Sequence, residues 1–345
     1  MTETRSFIER DETNIIKGIA IIFMFIHHFF TIPYYLIDSV AEIYRNNNFS
    51  FFYSSFRLCV PIFAFLTGFF YHFANKKVLR YSIKKATDLW ITYFVVFICF
   101  VITEFFLGVY DFSLPRFFTE MFAFTGRTMT HCWYVVFYVG AIFLMPLYHK
   151  ISEKSDFLVF SLFVVFPQFS SYLIKLTPVH QKAPIITDQI EYFFLLPTVA
   201  FGYICSKYNI YDKIHNIMIK YSLFLRILLY ILMITIPFLL GSKGDFFDFI
   251  YAGLFIFGVV SLIKLLKYKW ILVPLSILGK YSLLLWFIHC GFANQLCKFT
   301  QPILYYPRNP ILVTIWGLAM CLAVAALIQI PINGIKKLKN RLLRL

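Results

Sequence analysis

The sequence predicts an all-α, polytopic transmembrane helical bundle of about ten spans with both termini cytoplasmic. Three observations lead there. Of the 345 residues, 60% are hydrophobic and only 14% are charged, and the mean hydropathy of +0.74 exceeds what a soluble domain carries. The apolar residues are gathered into ten runs, most of them long enough to cross a bilayer as a helix. Basic residues crowd into one set of connections between the runs, which orients the bundle.

In order, the runs lie at about 15–36, 51–73, 87–109, 131–148, 157–176, 190–206, 222–240, 249–266, 274–293 and 311–333. Polar residues or Pro and Gly bound each one; the fourth carries Pro146 near its end and the sixth is short. The connections on the N-terminal side hold Lys76, Lys77, Arg80, Lys84 and Lys85, then Lys150 and Lys154, Lys207, Lys213 and Lys220, Lys267 and Lys269, and the basic tail from Lys336 to Arg344. The opposite connections hold fewer than half as many, among them Arg116, Arg127 and Lys243. An even number of spans agrees with two cytoplasmic termini. The connection at about 110–130 reads FSLPRFFTEMF in its middle, amphipathic enough to lie in the interface. The whole chain, 1–345, is expected to be a single membrane domain.

Composition also excludes. The formal net charge of +15 suits loops facing an anionic leaflet, and no basic soluble domain is present to bind nucleic acid. The 44 Phe and 23 Tyr residues suit lipid-facing surfaces and interfacial belts. Seven cysteines are scattered without a C-x-x-C pair or a zinc-type spacing, so neither a disulfide framework nor a metal site is expected. The N-terminus mixes Arg5 and Arg10 with Glu9, Asp11 and Glu12 and does not read as a cleavable signal.

The most informative stretch is KGIAIIFMFIHH, from Lys17 to His28. Eleven positions on a helix amount to about three turns plus ~20°, with a rise of ~16 Å. Lys17 and His28 therefore share one stripe, one near the membrane surface and the other near mid-depth. Taken alone, Lys17 would be a snorkelling interfacial residue. Two histidines inside the same span favour a protein interior or a wet cavity, because ionisable groups facing lipid are costly. His27 lies ~100° round the helix from His28 and is expected to matter less. His27, His28, His131 and His289 fall in the middle or outer half of runs one, four and nine and could converge on one polar cavity.

Five stretches resemble the acyltransferase-3 family of integral-membrane O-acyltransferases, in particular its fucose 4-O-acetylase-like branch. NIIKGIAIIFMFIHH is similar to the family's opening helix, with a basic residue and a histidine eleven positions later. RLCVPIFAFLTGFFY, opening at Arg57, resembles "v-x-x-F-F-x-x-S-G-f" with Thr67 in place of serine. HCWYVVFYVGAIFLMPLY resembles an H-x-W-F/Y-L start followed by a proline-ended helix. EYFFLLPTVAFGYICSKY is similar to "F-x-x-P-f-x-x-G-y", and LGKYSLLLWFIHCGF to "l-G-k-x-S-l-x-l-Y-l-x-H". They run in family order from about residue 14 to 292. Lys17 stands where much of the family has arginine, and the family's R-x-x-R before span three appears here as Lys85-x-x-Asp88.

The resemblance implies transfer of an acyl group, most often acetyl, from cytosolic acyl-CoA to a hydroxyl of a cell-surface polysaccharide or a lipid-linked glycan. Fitted to these residues, Lys17 with Lys77, Arg80 and Lys84 would form an electropositive mouth for the phosphates of acetyl-CoA. The pantetheine arm would run up the stripe to His28, the expected catalytic base. A transient acyl-histidine also fits the residues. Trp133, Arg57 and His289 would lie on the acceptor side. No G-x-S-x-G is present to supply a serine nucleophile. The competing class is a transporter or flippase of a lipid-linked sugar, with histidines along a pathway. Against it, no matching pair of broken helices in two repeated halves is visible.

Overall fold

The computed structural model describes residues 7–30, 50–74, 79–125, 128–129, 132–176, 192–241, 247–266, 269–292 and 297–342, and these are helical with no strand among them. Local sequence explains where the helices begin. The first helix, α1 (Arg10–Phe30), opens with Asp11 and Glu12 in its first turn, where the helix dipole favours negative charge. Glu12 also reaches back to accept from the Glu9 backbone N–H at 2.6 Å. Next come α2 (Ser50–Ser55), a 3₁₀ turn at Phe56–Leu58, and α3 (Cys59–His72), then the long α4 (Leu79–Phe106). Ser113 caps α5 (Leu114–Met121), with its side chain accepting from Arg116 N–H.

The fourth run gives α6 (Trp133–Ser152), with Pro146 inside. The fifth gives α7 (Asp156–Phe160) and α8 (Phe166–Leu176), joined through a π turn at Ser161–Val165. The chain continues as α9 (Leu196–Lys207), α10 (Ile210–Met218), α11 (Leu223–Leu240) and α12 (Asp248–Leu265). It ends with α13 (Val273–Lys280), α14 (Ser282–Phe292), α15 (Cys297–Leu304) and α16 (Pro310–Leu342).

Among the described residues, seven helical segments are long and apolar enough to cross a membrane: Arg10–Phe30, Tyr53–His72, Leu79–Phe106, Trp133–Ser152, Leu223–Leu240, Asp248–Leu265 and Pro310–Lys339. The three remaining runs of the expected ten are helical but short or broken. Asp156–Ser170 and Phe193–Lys207 are shorter apolar helices. The run at 274–293 breaks at Tyr281 into α13 and α14.

Two backbone-to-backbone crossings set the core. A methyl group on Gly18 of α1 would lie 2.0 Å from the Leu275 carbonyl oxygen of α13, and one on Gly279 would lie 1.8 Å from that of Asn14. The second crossing repeats the device. A Cβ on Gly68 of α3 would meet the Val199 carbonyl oxygen of α9 at 1.8 Å, and one on Gly202 would meet that of Phe65 at 2.1 Å. Where apolar burial gives little preference for helix over lipid, small residues let helices pack at close range. Hydrogen bonds add to this: Ser82 on α4 donates to the Ile142 carbonyl of α6 at 2.7 Å. Tyr305 donates to the Phe29 carbonyl at 2.8 Å, satisfying one of the carbonyls orphaned at the end of α1.

The interfacial segment expected at 110–130 contains α5, and its apolar side faces outward: Leu114, Phe118 and Phe122 are exposed while Glu120 is buried. Glu120 and Glu104 both accept from the Thr128 hydroxyl, at 2.8 and 3.1 Å, and Arg116 pairs with Glu120 at 3.0 Å.

Candidate active site

Two cavities share the same helices. The first, about 330 Å³, is lined by Lys17 of α1, Phe63 and Thr67 of α3, Lys85 and Asp88 of α4, Tyr134 and Tyr138 of α6, Trp286 of α14 and Lys336 of α16. The second, about 270 Å³, is lined by His27 and His28 of α1, Arg57, Val60 and Pro61, Trp133, Phe194, Leu195 and Asp248. The linings follow each helix in turn. On α1 Lys17 is below and His28 above; on α3 Val60 is above and Phe63 to Phe70 below; on α6 Trp133 is above and Tyr134 to Ile142 below. The cavities therefore stack along the bundle. α1 runs from the lysine cavity to the histidine cavity, while α3 and α6 run the other way. The start of α1 and the end of α16, which brings Lys336, lie on the lysine side.

An aromatic group marks the boundary. Trp286 packs on Tyr134 with ring centres 4.9 Å apart and edge-on to Phe63 at 5.3 Å. Tyr134 follows Trp133, so adjacent residues of α6 face different cavities.

The lysine cavity carries excess positive charge. Lys17, Lys85 and Lys336 line it with one carboxylate, Asp88, and Asp88 is already ion-paired with Lys339. Lys336 donates to the Thr92 hydroxyl at 3.0 Å, which fixes its ammonium against α4. The histidine cavity is different. Among the described residues, its one cation and one anion neutralise each other, Arg57 Nη2 lying 2.8 Å from Asp248 Oδ2 with Asp248 buried. Trp133 adds a broad apolar face beside this polar pair.

His28 Nδ1 lies 2.7 Å from His289 Nε2, and the two ring planes differ by 3° with centres 4.9 Å apart. That separation is what a short nitrogen-to-nitrogen contact leaves when both rings lie in one plane, so the contact is an in-plane hydrogen bond. His289 in turn donates from Nδ1 to the Trp286 carbonyl. His27 Nδ1 faces the Tyr53 carbonyl at 3.4 Å, a long contact.

The expected site residues fall as follows. Lys17 and His28 lie on one face of α1 and open into different cavities; Trp133 and Arg57 share the cavity of His28. His289, expected to line the acceptor channel, is fully buried and stands behind His28. The break at Tyr281 places α14 with Trp286 toward the lysine cavity and His289 one turn deeper. His27, expected to turn away, lines the same cavity as His28, because the cavity is wider than one helical stripe. Arg80 and Lys84 are exposed on α4 and line neither cavity. Lys85, ~100° further round the helix from Lys84, is exposed as well but lines the rim of the lysine cavity. Lys77 and His131 lie outside the described residues.

Sequence reasoning counted Lys85 within the basic loop of the mouth, residues 76–85, without singling it out, and it missed Lys336 and Asp248 as lining residues. Asp248 could have been found as an acid opening an apolar run, since carboxylates at such positions seek partners. Lys336 was hidden in a basic tail whose other residues serve orientation.

The comparisons follow this geometry. No curated protein and no solved structure matches the chain. The family model described as an acyltransferase domain, however, matches residues 10–330. That interval runs from the first residue of α1 to just before Pro331 and contains Lys17, His28, Lys85, Trp133, Asp248 and His289. With nearly its whole length matched, the chain belongs to the acyltransferase-3 family of membrane acyltransferases.

Proposed function

We propose that this acyltransferase moves an acetyl group from cytosolic acetyl-CoA to a hydroxyl of a cell-surface polysaccharide or lipid-linked glycan, as a multi-pass protein of the cell membrane. The observation that carries the reading is the pair of stacked cavities with Lys17 at one end of a helical stripe and His28 at the other. In this reading the lysine cavity faces the cytoplasm, in line with the crowding of basic residues on that side.

Lys17, Lys85 and Lys336 attract the coenzyme-A phosphates and hold them by charge-assisted hydrogen bonds. The pantetheine arm extends past Tyr134 and Trp286, and its reach is comparable to the ~16 Å rise between Lys17 and His28. The acceptor sugar lies in the histidine cavity. Trp133 gives its ring face an apolar platform, and the Arg57–Asp248 pair offers both donors and acceptors to hydroxyls without a net charge. That favours a neutral polyol over a second phosphate.

His28 takes the hydroxyl proton while the acceptor oxygen attacks the thioester carbonyl carbon. The carbon–sulfur bond breaks, sulfur leaves with the electron pair, and the proton passes from His28 to the thiolate. An ester and free coenzyme A result.

The test uses the purified full chain in detergent or bilayers. Acetyl-CoA is expected to raise its thermal stability, because a ligand binding the folded state adds RT ln(1 + [L]/Kd). Membranes given acetyl-labelled acetyl-CoA are expected to place label in the glycan fraction. No stabilisation by acetyl-CoA, with lipid-linked sugar moving across vesicles instead, would replace this reading by a flippase.

A further inference from the structure

His289 is fully buried, lines neither cavity, and has both ring nitrogens in short contacts to groups of known or deducible polarity. The Trp286 carbonyl oxygen has only lone pairs, so the His289 nitrogen facing it, Nδ1, must carry the hydrogen. A neutral imidazole has one N–H, so His289 Nε2 is an acceptor. The group it accepts from is His28 Nδ1, 2.7 Å away. His28 is then protonated on Nδ1, and its lone pair sits on Nε2. The scheme takes His289 as the neutral imidazole, since a charge with no exposure, beside the Phe25 ring at 5.6 Å, would be expensive to bury.

We propose that His289 is the positioning residue of the reaction: it holds His28 in the Nδ1-protonated tautomer and makes His28 Nε2 the atom that takes the acceptor's proton. The proposal rests on the reading of His28 as the base. The logic is that of a base oriented by a third group, with an imidazole anchored on a backbone carbonyl in the place that a carboxylate takes in hydrolase triads. A neutral imidazole adds no negative charge, so its contribution is tautomer and ring orientation rather than electrostatic attraction. When His28 gains a proton on Nε2, its Nδ1–H bond to His289 becomes charge-assisted and shorter. His289 keeps its own proton throughout the cycle. The charged side chains that line the histidine cavity among the described residues, Arg57 and Asp248, are paired with each other, and His27 is directed to the Tyr53 carbonyl.

Two measurements on the full chain test this. In ¹⁵N-histidine-labelled protein in lipid bilayers, the resonances lost in His28→Gln identify His28. They are expected to show a protonated Nδ1 and a bare Nε2; a neutral His28 protonated on Nε2 overturns the proposal. The second measurement is transfer from acetyl-labelled acetyl-CoA. His289→Leu removes the acceptor and is expected to lower kcat about a hundredfold, within the range of general acid–base catalysis, with KM for acetyl-CoA unchanged.

His289→Gln presents an amide oxygen to His28 and is expected to stay within about tenfold of the parent rate, a rescue that depends on polarity rather than packing. A Leu variant as active as the parent, or a Gln variant as inactive as Leu while still stabilised by acetyl-CoA, overturns the assignment. If the Leu variant fails to fold, the resonances and the Gln variant decide. The resonances are read without turnover, so the two ideas fail separately. A bare Nε2 with full transfer in His28→Ala sinks the base and leaves the tautomer, whereas an inactive His28→Ala with a protonated Nε2 does the reverse.

Discussion

The two cavities lie on the same three helices and solve opposite electrostatic problems. The lysine cavity leaves charge uncompensated: Lys17, Lys85 and Lys336 face one carboxylate that Lys339 already engages. Among the described residues the histidine cavity pairs its groups, Arg57 against Asp248 and His28 against His289. Unbalanced charge attracts a charged ligand from a distance, while balanced, oriented groups attract little and act on what is already bound. On the proposed reading, the contrast separates holding from reacting. It also says which substitutions should affect binding and which should affect turnover.

The largest expected effect belongs to His28. His28→Ala should lower acetyl transfer by ~10²–10⁴, with acetyl-CoA still raising thermal stability as it does in the parent. Weakened acetyl-CoA binding in this variant would mean that the cavities are not functionally separate. His27→Ala should cost less, since its imidazole makes a long contact to a backbone carbonyl; a dead His27→Ala beside an active His28→Ala would move the base by one residue.

Next in size is the ion pair of the histidine cavity. Asp248→Leu alone takes the carboxylate away from Arg57, and breaking a buried pair by removing one partner costs ~3–5 kcal/mol. The lower end applies here, because the Arg57 side chain is 23% exposed. Adding Arg57→Met should recover most of the thermal stability while transfer stays low. Recovery of transfer along with stability would reduce the pair to a structural brace.

The lysines come third. A hydrogen bond to a charged group is worth ~1.5–3 kcal/mol, so Lys17→Ala, Lys85→Ala or Lys336→Ala should each raise the Kd for acetyl-CoA by at least about tenfold. Transfer at saturating acetyl-CoA should change little. Lys17→Arg should bind at least as well, because a guanidinium meets phosphate with two parallel donors. The smallest effect is expected from Arg80→Ala with Lys84→Ala, whose exposed charges can act only through screened attraction over ~10 Å at 0.1 M salt. Affinity should fall less than about threefold, and the loss should vanish at high salt; a loss as large as that of Lys336→Ala would make the exposed face of α4 part of the binding site.

Much of this was legible in the sequence where the signal is local. The stripe from Lys17 to His28 follows from helical periodicity, and the structure places its ends in the two cavities. The all-helical architecture follows from the apolar runs. Distant pairings were not legible. Lys336 meets Thr92 across 244 residues, and Arg57 meets Asp248 across 191, and nothing in the spacing of either residue announces the other. The break at Tyr281 was equally hidden, because α13 and α14 together read as one apolar run. It follows Gly279, where a Cβ would meet the Asn14 carbonyl oxygen at 1.8 Å, a close approach made by a helix at the other end of the chain. The orientation of α5, with Glu120 inward, was concealed for a related reason: its partner Thr128 lies on another segment.

The crossing of α1 on α13 has a consequence for how the chain is made. His28 and His289 are 261 positions apart. At ~5–20 residues per second, the ribosome needs on the order of ten seconds to a minute between emitting the first helix and emitting its partner. During that wait the first helix stands in lipid with its glycine face and both imidazoles unassembled. A permanently charged side chain at the same depth would cost ~2.5–3.5 kcal/mol on insertion, whereas an imidazole can enter neutral and acquire its working polarity only on assembly. A chain released before residue 273 should accordingly insert its first helix yet lack the Nδ1-protonated His28 resonance. Under the proposed mechanism, histidine suits biogenesis as well as chemistry, because an imidazole can enter the membrane uncharged and still accept a proton once its partner is in place.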